Sequence, residues 1–192
     1  MSCKLPPEVT AYLEAVEADK PRACPEQHAL AAHIRRCFET EDLRVDTEQL
    51  RRYLSLSRYF SYKNLFLWEQ FLTALWMCTY TADGRPRWKT LFSMVGRGAG
   101  KDGFIAFVSM CATSPYNPVG SYNVDICANN EEQAMTPVLD LVNTLELPKN
   151  EAKLKRFYYH TKELVQGRKN RGVVKGRTNN PKGRDGMRSG MV

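Results

Sequence analysis

Apolar positions recur three and four residues apart through most of the first 57 residues, the spacing of helices with one buried stripe. PPEVTAYLEAVEADK opens with Pro where a first helical turn accepts it, and CPEQHALAAHIRRCFET carries Leu30, Ile34, Cys37 and Phe38 at helical spacing. DTEQLRRYLSLSRYF predicts a third helix, capped by Asp46 or Thr47. From residue 62 the pattern changes. YKNLFLWEQFLTALWMCTYT predicts a long apolar helix, ended by ADGRP, whose Asp83-Gly84 pair signals a turn. RWKTLFSMV then reads as a strand, DGFIAFVSMCAT as a short buried helix, and GSYNVDICANN as a strand carrying Val124, Ile126 and Cys127. NEEQAMTPVLDLVNTLEL predicts a helix with Asn129 or Asn130 as N-cap and Glu131 and Glu132 in the first turn; Pro137 marks a kink or a late start. Past Pro148, RFYYHTKELVQG and GVVKGR read as strands. Strand, helix, strand, helix predicts an α/β domain with a parallel sheet and crossover helices over residues 59–192, preceded by a helical attachment over 1–58.

Composition alters this picture little; charge alters it at one end. A chain of 192 residues, 43% hydrophobic, can bury one substantial core. The net charge is +7, but residues from Lys149 onward hold 13 Lys or Arg against Glu151, Glu163 and Asp185, a local net of +10. A basic end suits a polyanionic partner, because each cation placed on a phosphate releases condensed counterions; a solvated basic surface is the plainer alternative. The six cysteines form no Cys-x-x-Cys pair, and His28, His33 and His160 do not sit at metal-ligand spacing with them, so reduced thiols in a cytosolic setting are expected and a zinc site is not. MSCKLPPEVT has no apolar signal core, and the longest apolar stretch, from Leu65 to Tyr80, is interrupted by Glu69 and Gln70, so neither secretion nor membrane insertion is expected.

The candidate chemistry lies in SMVGRGAGKDGF, residues 93–104, between the expected strand and the expected buried helix. Glycines there let backbone N–H groups curl around an anion, the helix N-terminus adds its positive dipole end, and Lys101 can reach outer phosphates. Against GxxxxGK[ST], Val95 takes the first glycine position and Asp102 the Ser/Thr position whose hydroxyl meets Mg²⁺; a carboxylate there can bind magnesium through water or cap the helix. Two other readings compete. Gly98, Gly100 and Gly103 spell G-x-G-x-x-G with Asp125 further on, the order of a dinucleotide site and so of an NAD-dependent oxidoreductase, although Lys101 and Asp102 would put charge where that turn packs closely. The other is a glycine turn that binds nothing.

Read outward from GRGAGKDGF, the chain resembles the ATPase domain of the large subunit of tailed-bacteriophage terminases, the DNA-packaging motors. Arg97 matches the early arginine of that family's G-R-x-x-G-K loop; LFLWEQF and ADGRPRW follow the order of its tryptophan-centred adenine segment, Asp-Gly turn and aromatic strand. VKGRTNNPKGRDGMRSGMV looks like its Lys-rich loop ending in Asp-Gly, and the similarity covers about residues 60–192 by order of motifs. The resemblance implies an incomplete P-loop NTPase-type parallel sheet with flanking helices, binding ATP and Mg²⁺. Lys101 would contact the β- and γ-phosphates, Arg97 the γ-phosphate, and Gly96, Gly98, Ala99 and Gly100 would form the loop backbone, with Asp102 as the candidate magnesium contact. Trp68 with Glu69 or Gln70 would lie near the adenine. The family's glutamine aligns with Glu69 while the actual glutamine is one place later, so the two stay open, and Trp68 reads equally as a core aromatic.

One departure concerns turnover. Hydrolysis by this class needs an apolar strand ending in Asp-Glu, and no Asp-Glu pair occurs in the chain. SGMV reads as the start of such a strand, so the expectation is an N-terminal piece of a longer protein without the acidic pair and the nuclease domain. The resemblance further implies double-stranded DNA, a portal protein, a small terminase subunit and copies of the chain in a ring as partners, in the cytoplasm of a bacterial host. The alternative function is a basic nucleic-acid-binding module, in which GRGAGKDG is one more basic turn and the aromatics of KRFYYH stack on bases or simply pack.

Overall fold

A computed structural model describes residues 5–62, 64–178 and 189–192. They divide into two units, Met1–Leu54 with Asn64–Met94, and Ser55–Lys63 with Val95–Val192. The expected boundary at residue 58 falls inside Ser55–Lys63, a segment that belongs to the second unit.

The first unit contains α1 (Pro7–Glu17), α2 (Pro25–Thr40), β1 (Leu43–Val45), α3 (Thr47–Leu54), α4 (Leu67–Leu72) and β2 (Thr79–Thr81). Of the stripe read on α2, Ile34, Cys37 and Phe38 are buried, whereas Leu30 is exposed and Ala31 takes the inward position; Val9, Leu13 and Leu50 complete the core together with Phe71, on which Tyr12 stacks at 4.2 Å between ring centroids. Asp46 is the cap of α3, its carboxylate accepting from Gln49 N at 2.9 Å. The long apolar helix expected over 62–81 is shorter: α4 starts at Leu67, passes into a π-helical turn over Thr73–Met77, and yields to β2, which pairs antiparallel with β1. After the turn at Gly84 (φ +80°), Pro86 bridges Tyr80 and Arg87 N reaches Thr79 O at 3.0 Å. Pairing stops there. Of residues 87–95, expected as a strand, none past Arg87 is paired with a described strand, and Phe92 and Met94 stand 86% and 88% exposed. Alternating apolar residues make a strand only where a sheet edge receives their N–H and C=O groups, and β2 is three residues long.

The second unit opens with a 3-10 turn, Ser55–Tyr59, and continues as α5 (Lys101–Thr113), β3 (Val124–Ala128), α6 (Glu131–Glu146), α7 (Pro148–Leu154), β4 (Tyr158–His160), β5 (Leu164–Gly167) and β6 (Val173–Thr178). The chain is thus α/β, with seven α-helices among the described residues. Its larger sheet, in the order β3-β6-β5-β4, is mixed where a parallel one was expected. Only β3 and β6 run parallel, with Val124 opposite Val174. The tight turns linking β4 to β5 and β5 to β6 leave room for antiparallel neighbours alone, whereas β3 reaches β6 through α6, α7, β4 and β5. Asn130 caps α6 by accepting from Gln133 N at 2.8 Å, and Pro137 lies buried within the helix without ending it.

Helix α5 lies deepest. Phe104 and every residue from Ala106 to Thr113 are buried. Near its end, Met110 O accepts from the Tyr158 hydroxyl, Cys111 O from Ser114 N and Oγ, and Ala112 O from the side-chain amides of Asn117 at 2.6 Å and of the buried Asn170 at 3.0 Å, which also donates to Ser114 O at 3.2 Å. Alongside, a Cβ on Gly167 would come within 2.0 Å of Thr113 O, so the start of the β5–β6 turn lies flush against the end of α5. Because that neighbour is backbone and fixed by its own helix, Gly167→Ala should destabilise the fold by about 1–3 kcal/mol. Urea unfolding of the two proteins measures this, and equal midpoints would contradict the close approach.

Candidate functional site

The loop ahead of α5 owes its shape to two glycines. Gly98 and Gly100 adopt φ of +80° and +87°, the left-handed region that side chains disfavour, and Ala99 N closes the turn on Gly96 O at 3.2 Å. Gly100 is the N-cap of α5, and Phe104 N makes the helix's first bond back to Gly100 O at 2.9 Å. The N–H groups ahead of Phe104 precede the helical ladder, so the helix's partial positive charge sits beside the loop. A Cβ at Gly96 or Gly98 would meet no atom within 4 Å, which leaves the space over the loop open.

Lys101 and Asp102 are exposed, and the Lys101 ammonium lies 2.5 Å from Asp102 Oδ1. A pair so open to water is worth about 0–1 kcal/mol, so an incoming polyanion could draw the lysine away at little cost. Arg97, on the loop itself, is exposed as well. The start of α5 is braced from one side by Tyr62, whose hydroxyl donates to Gly103 O at 2.9 Å and whose ring, stacked on Phe60 at 5.0 Å, would lie 3.2 Å from a Cβ on Gly103.

Asp140 joins this neighbourhood without any motif to announce it. It sits half-buried on α6, where burial raises its carboxyl above the usual range and the charge of Asp102 raises it further. The two carboxylates therefore share one electrostatic environment. The signal in the sequence is an acid inside the apolar run VLDLV, which points to no site on its own because it belongs to a helix and not to a strand end.

Trp68, Glu69 and Gln70 belong to the first unit, on α4. Trp68 is half-buried. The polar ends beside it serve the entry of their own helix: Glu69 Oε2 accepts from Phe66 N at 2.7 Å, and the Gln70 amide donates to Leu65 O at 2.9 Å. Burial of Glu69, 4% exposed, raises its carboxyl above the usual range against the opposing pull of the Phe66 N–H.

Asp125, the acid of the dinucleotide reading, is 7% exposed and engaged, accepting from Arg177 Nε and Ser189 Oγ. Met191 bridges Val124 in parallel, which puts SGMV on the side of β3 away from β6. Of the expected Lys-rich loop, Val174 to Arg177 belong to strand β6, paired with β3 and β5, and not to a loop; residues 179–188 lie outside the described residues. Tyr158 is a packing residue whose hydroxyl donates to Met110 O at 3.1 Å, while Tyr159 is 48% exposed. Among the described residues there is no group of three or more His, Cys, Asp or Glu placed to hold a metal, and no helix is long and apolar enough to cross a membrane.

No family model, curated protein or solved structure matches the chain.

The buried Glu69 gives a pH test. Its folded pKa lies above the unfolded one, so unfolding releases a proton, and the stability held by the neutral form is lost as pH rises through the folded value. Glu69→Gln keeps an acceptor for Phe66 N without the charge. Its melting temperature should exceed that of the parent at pH 7–8, with the gain vanishing below about pH 4, near the unfolded pKa. A gain that persists undiminished in acid would place its origin elsewhere.

Proposed function

We propose that this chain is the nucleotide-gripping part of a phage terminase large subunit, an ATP-driven motor that packages double-stranded DNA into procapsids in the cytoplasm of a bacterial host. The observation that carries the reading is the loop: two left-handed glycines wrapped ahead of a 13-residue buried helix, with Lys101 as that helix's first residue. The residues fit a triphosphate. The backbone at Gly96, Gly98 and Gly100 supplies donors, with open space over Gly96 and Gly98, while Ala99 N would have to leave Gly96 O to join them; Lys101 and Arg97 supply charge, and α5, fixed at its far end by Asn170, supplies a dipole that cannot turn away. Asp102 would hold Mg²⁺ through water once Lys101 moves to the phosphates; a bound magnesium supplies neutralisation of phosphate charge. In the whole motor the partners are DNA, a portal protein, a small terminase subunit and further copies of the chain in a ring. The dinucleotide alternative loses support because the carboxylate it requires, Asp125, is already held by Arg177 and Ser189.

ATP with magnesium should raise the melting temperature of the chain, by about 2.7 kcal/mol of stabilisation at a hundredfold excess over Kd, and Lys101→Ala should abolish the shift. With no Asp-Glu pair to activate water, phosphate release by this chain should stay at background. A wild-type chain whose melting ignores ATP would sink the proposal, and Lys101-dependent hydrolysis would overturn the account of the missing acids.

A further inference from the structure

A cleft of about 490 Å³ opens in the second unit between the 3-10 turn and α7, lined by Arg58, Tyr59, Lys149, Asn150, Lys153 and Arg156. Four of the six lining residues are cations and none is an acid. Among the described residues none of the four makes an ion pair, while Arg35, Arg52, Arg85, Arg87 and Arg177 all do. Like charges gathered around one cleft repel, because they lie within about a Debye length of one another, some 8–10 Å in ordinary buffer. The walls are nevertheless fixed. Asn150, 3% exposed, donates from one amide to Tyr59 O at 2.7 Å and Thr144 O at 2.8 Å, which ties the 3-10 turn to α7 and the end of α6. Arg58 lies over the Tyr59 ring at 4.9 Å and also donates to its hydroxyl, and Arg156 lies over Phe157 at 4.5 Å, so both guanidinium groups are braced before any ligand arrives.

We propose that this cleft grips the phosphodiester backbone of double-stranded DNA. Three features select that occupant. All four cations are exposed, and the one buried polar side chain, Asn150, spends its amide N–H groups on the protein, so the cleft presents charge at its rim and no buried donor to enclose a small ligand. The Tyr59 and Phe157 rings carry guanidinium groups on a face, so charge and not an aromatic plane is presented, which suits backbone phosphates better than the splayed bases of a single strand. The surrounding sequence from Lys149 onward is the strongly basic part of the chain, with a net of +10. The inference shares with the proposed function only the expectation that DNA is a partner, and it does not need the loop to bind nucleotide.

The test is a fluorescence-anisotropy titration of the full chain with a labelled 30-base-pair duplex of arbitrary sequence across a salt series. Lys153→Gln combined with Arg156→Gln should weaken binding at least tenfold near 0.1 M salt and flatten the slope of log affinity against log salt by about two. The charge-keeping pair Lys153→Arg with Arg156→Lys should bind within about threefold of the parent. Lys162→Gln with Lys169→Gln, an equal charge change outside the cleft, should cost less than threefold. Circular dichroism and melting confirm that each variant is folded. The proposal fails if the cleft variant binds as the parent does, or if the outside pair loses as much, which would make the attraction one of net charge. It fails equally if millimolar ATP or inorganic phosphate, or poly-glutamate at matched charge, displaces the duplex, since the occupant would then be a small anion or an acidic protein segment. The two readings separate cleanly. A chain that ignores ATP yet loses DNA on cleft neutralisation sinks the loop reading and leaves this one standing, and the converse result does the opposite.

Discussion

The second unit depends on the burial of α5. A helix apolar on nearly every side cannot stay at a surface, so the sheet, α6 and the turn after β5 close around it. Burial raises the question of its carbonyl end, where unpaired C=O groups in a dry environment would each cost about 1–3 kcal/mol. Ser114 and Asn117 answer it from just beyond the helix, Tyr158 from β4 and Asn170 from the β5–β6 turn, which the bare backbone of Gly167 allows to come close enough. The opposite end of the helix emerges at the loop. A rigid buried axis anchored at its C-terminus thus holds a glycine turn, a lysine and a helix dipole in one place.

Elements whose cause is local were legible. Helices α1, α2 and α3 follow from spacing, and the caps at Asp46 and Asn130 and the turn at Gly84 follow from side-chain or backbone chemistry within four residues. Elements whose cause is a distant partner were not. RWKTLFSMV has the residues of a strand and no strand beside it, while the three-residue β1 has little pattern to read and exists because β2 pairs with it. The direction of β4, β5 and β6 follows from turn length, which only accurate boundaries reveal. Helix α7, with Pro148 in its first turn, is too short to show a helical stripe, and its seven residues are mostly polar.

The candidate site divides in the same way. The glycine-lysine loop could be read because its residues are consecutive. Asp140 and the basic cleft could not, since each joins segments far apart in the chain: α6 with the start of α5 in one case, Arg58 with residues 149–156 in the other. Local charge counting found the basic end, but only folding brings Arg58 to it. For Glu69 and Gln70, the structure adds a role at the entry of α4 to the one that the resemblance suggested.

Within the loop, form and charge are divided at a single peptide bond. Gly100 holds a backbone geometry that almost any side chain resists, and Lys101 projects an ammonium into solvent from ordinary helix. An allele at the first position deforms the scaffold and leaves its electrostatics untouched, whereas an allele at the second strips a charge from an intact scaffold. Genetic dissection can therefore assign a lost phenotype to architecture or to ion recognition, a distinction that most binding segments, where one residue serves both ends, do not permit.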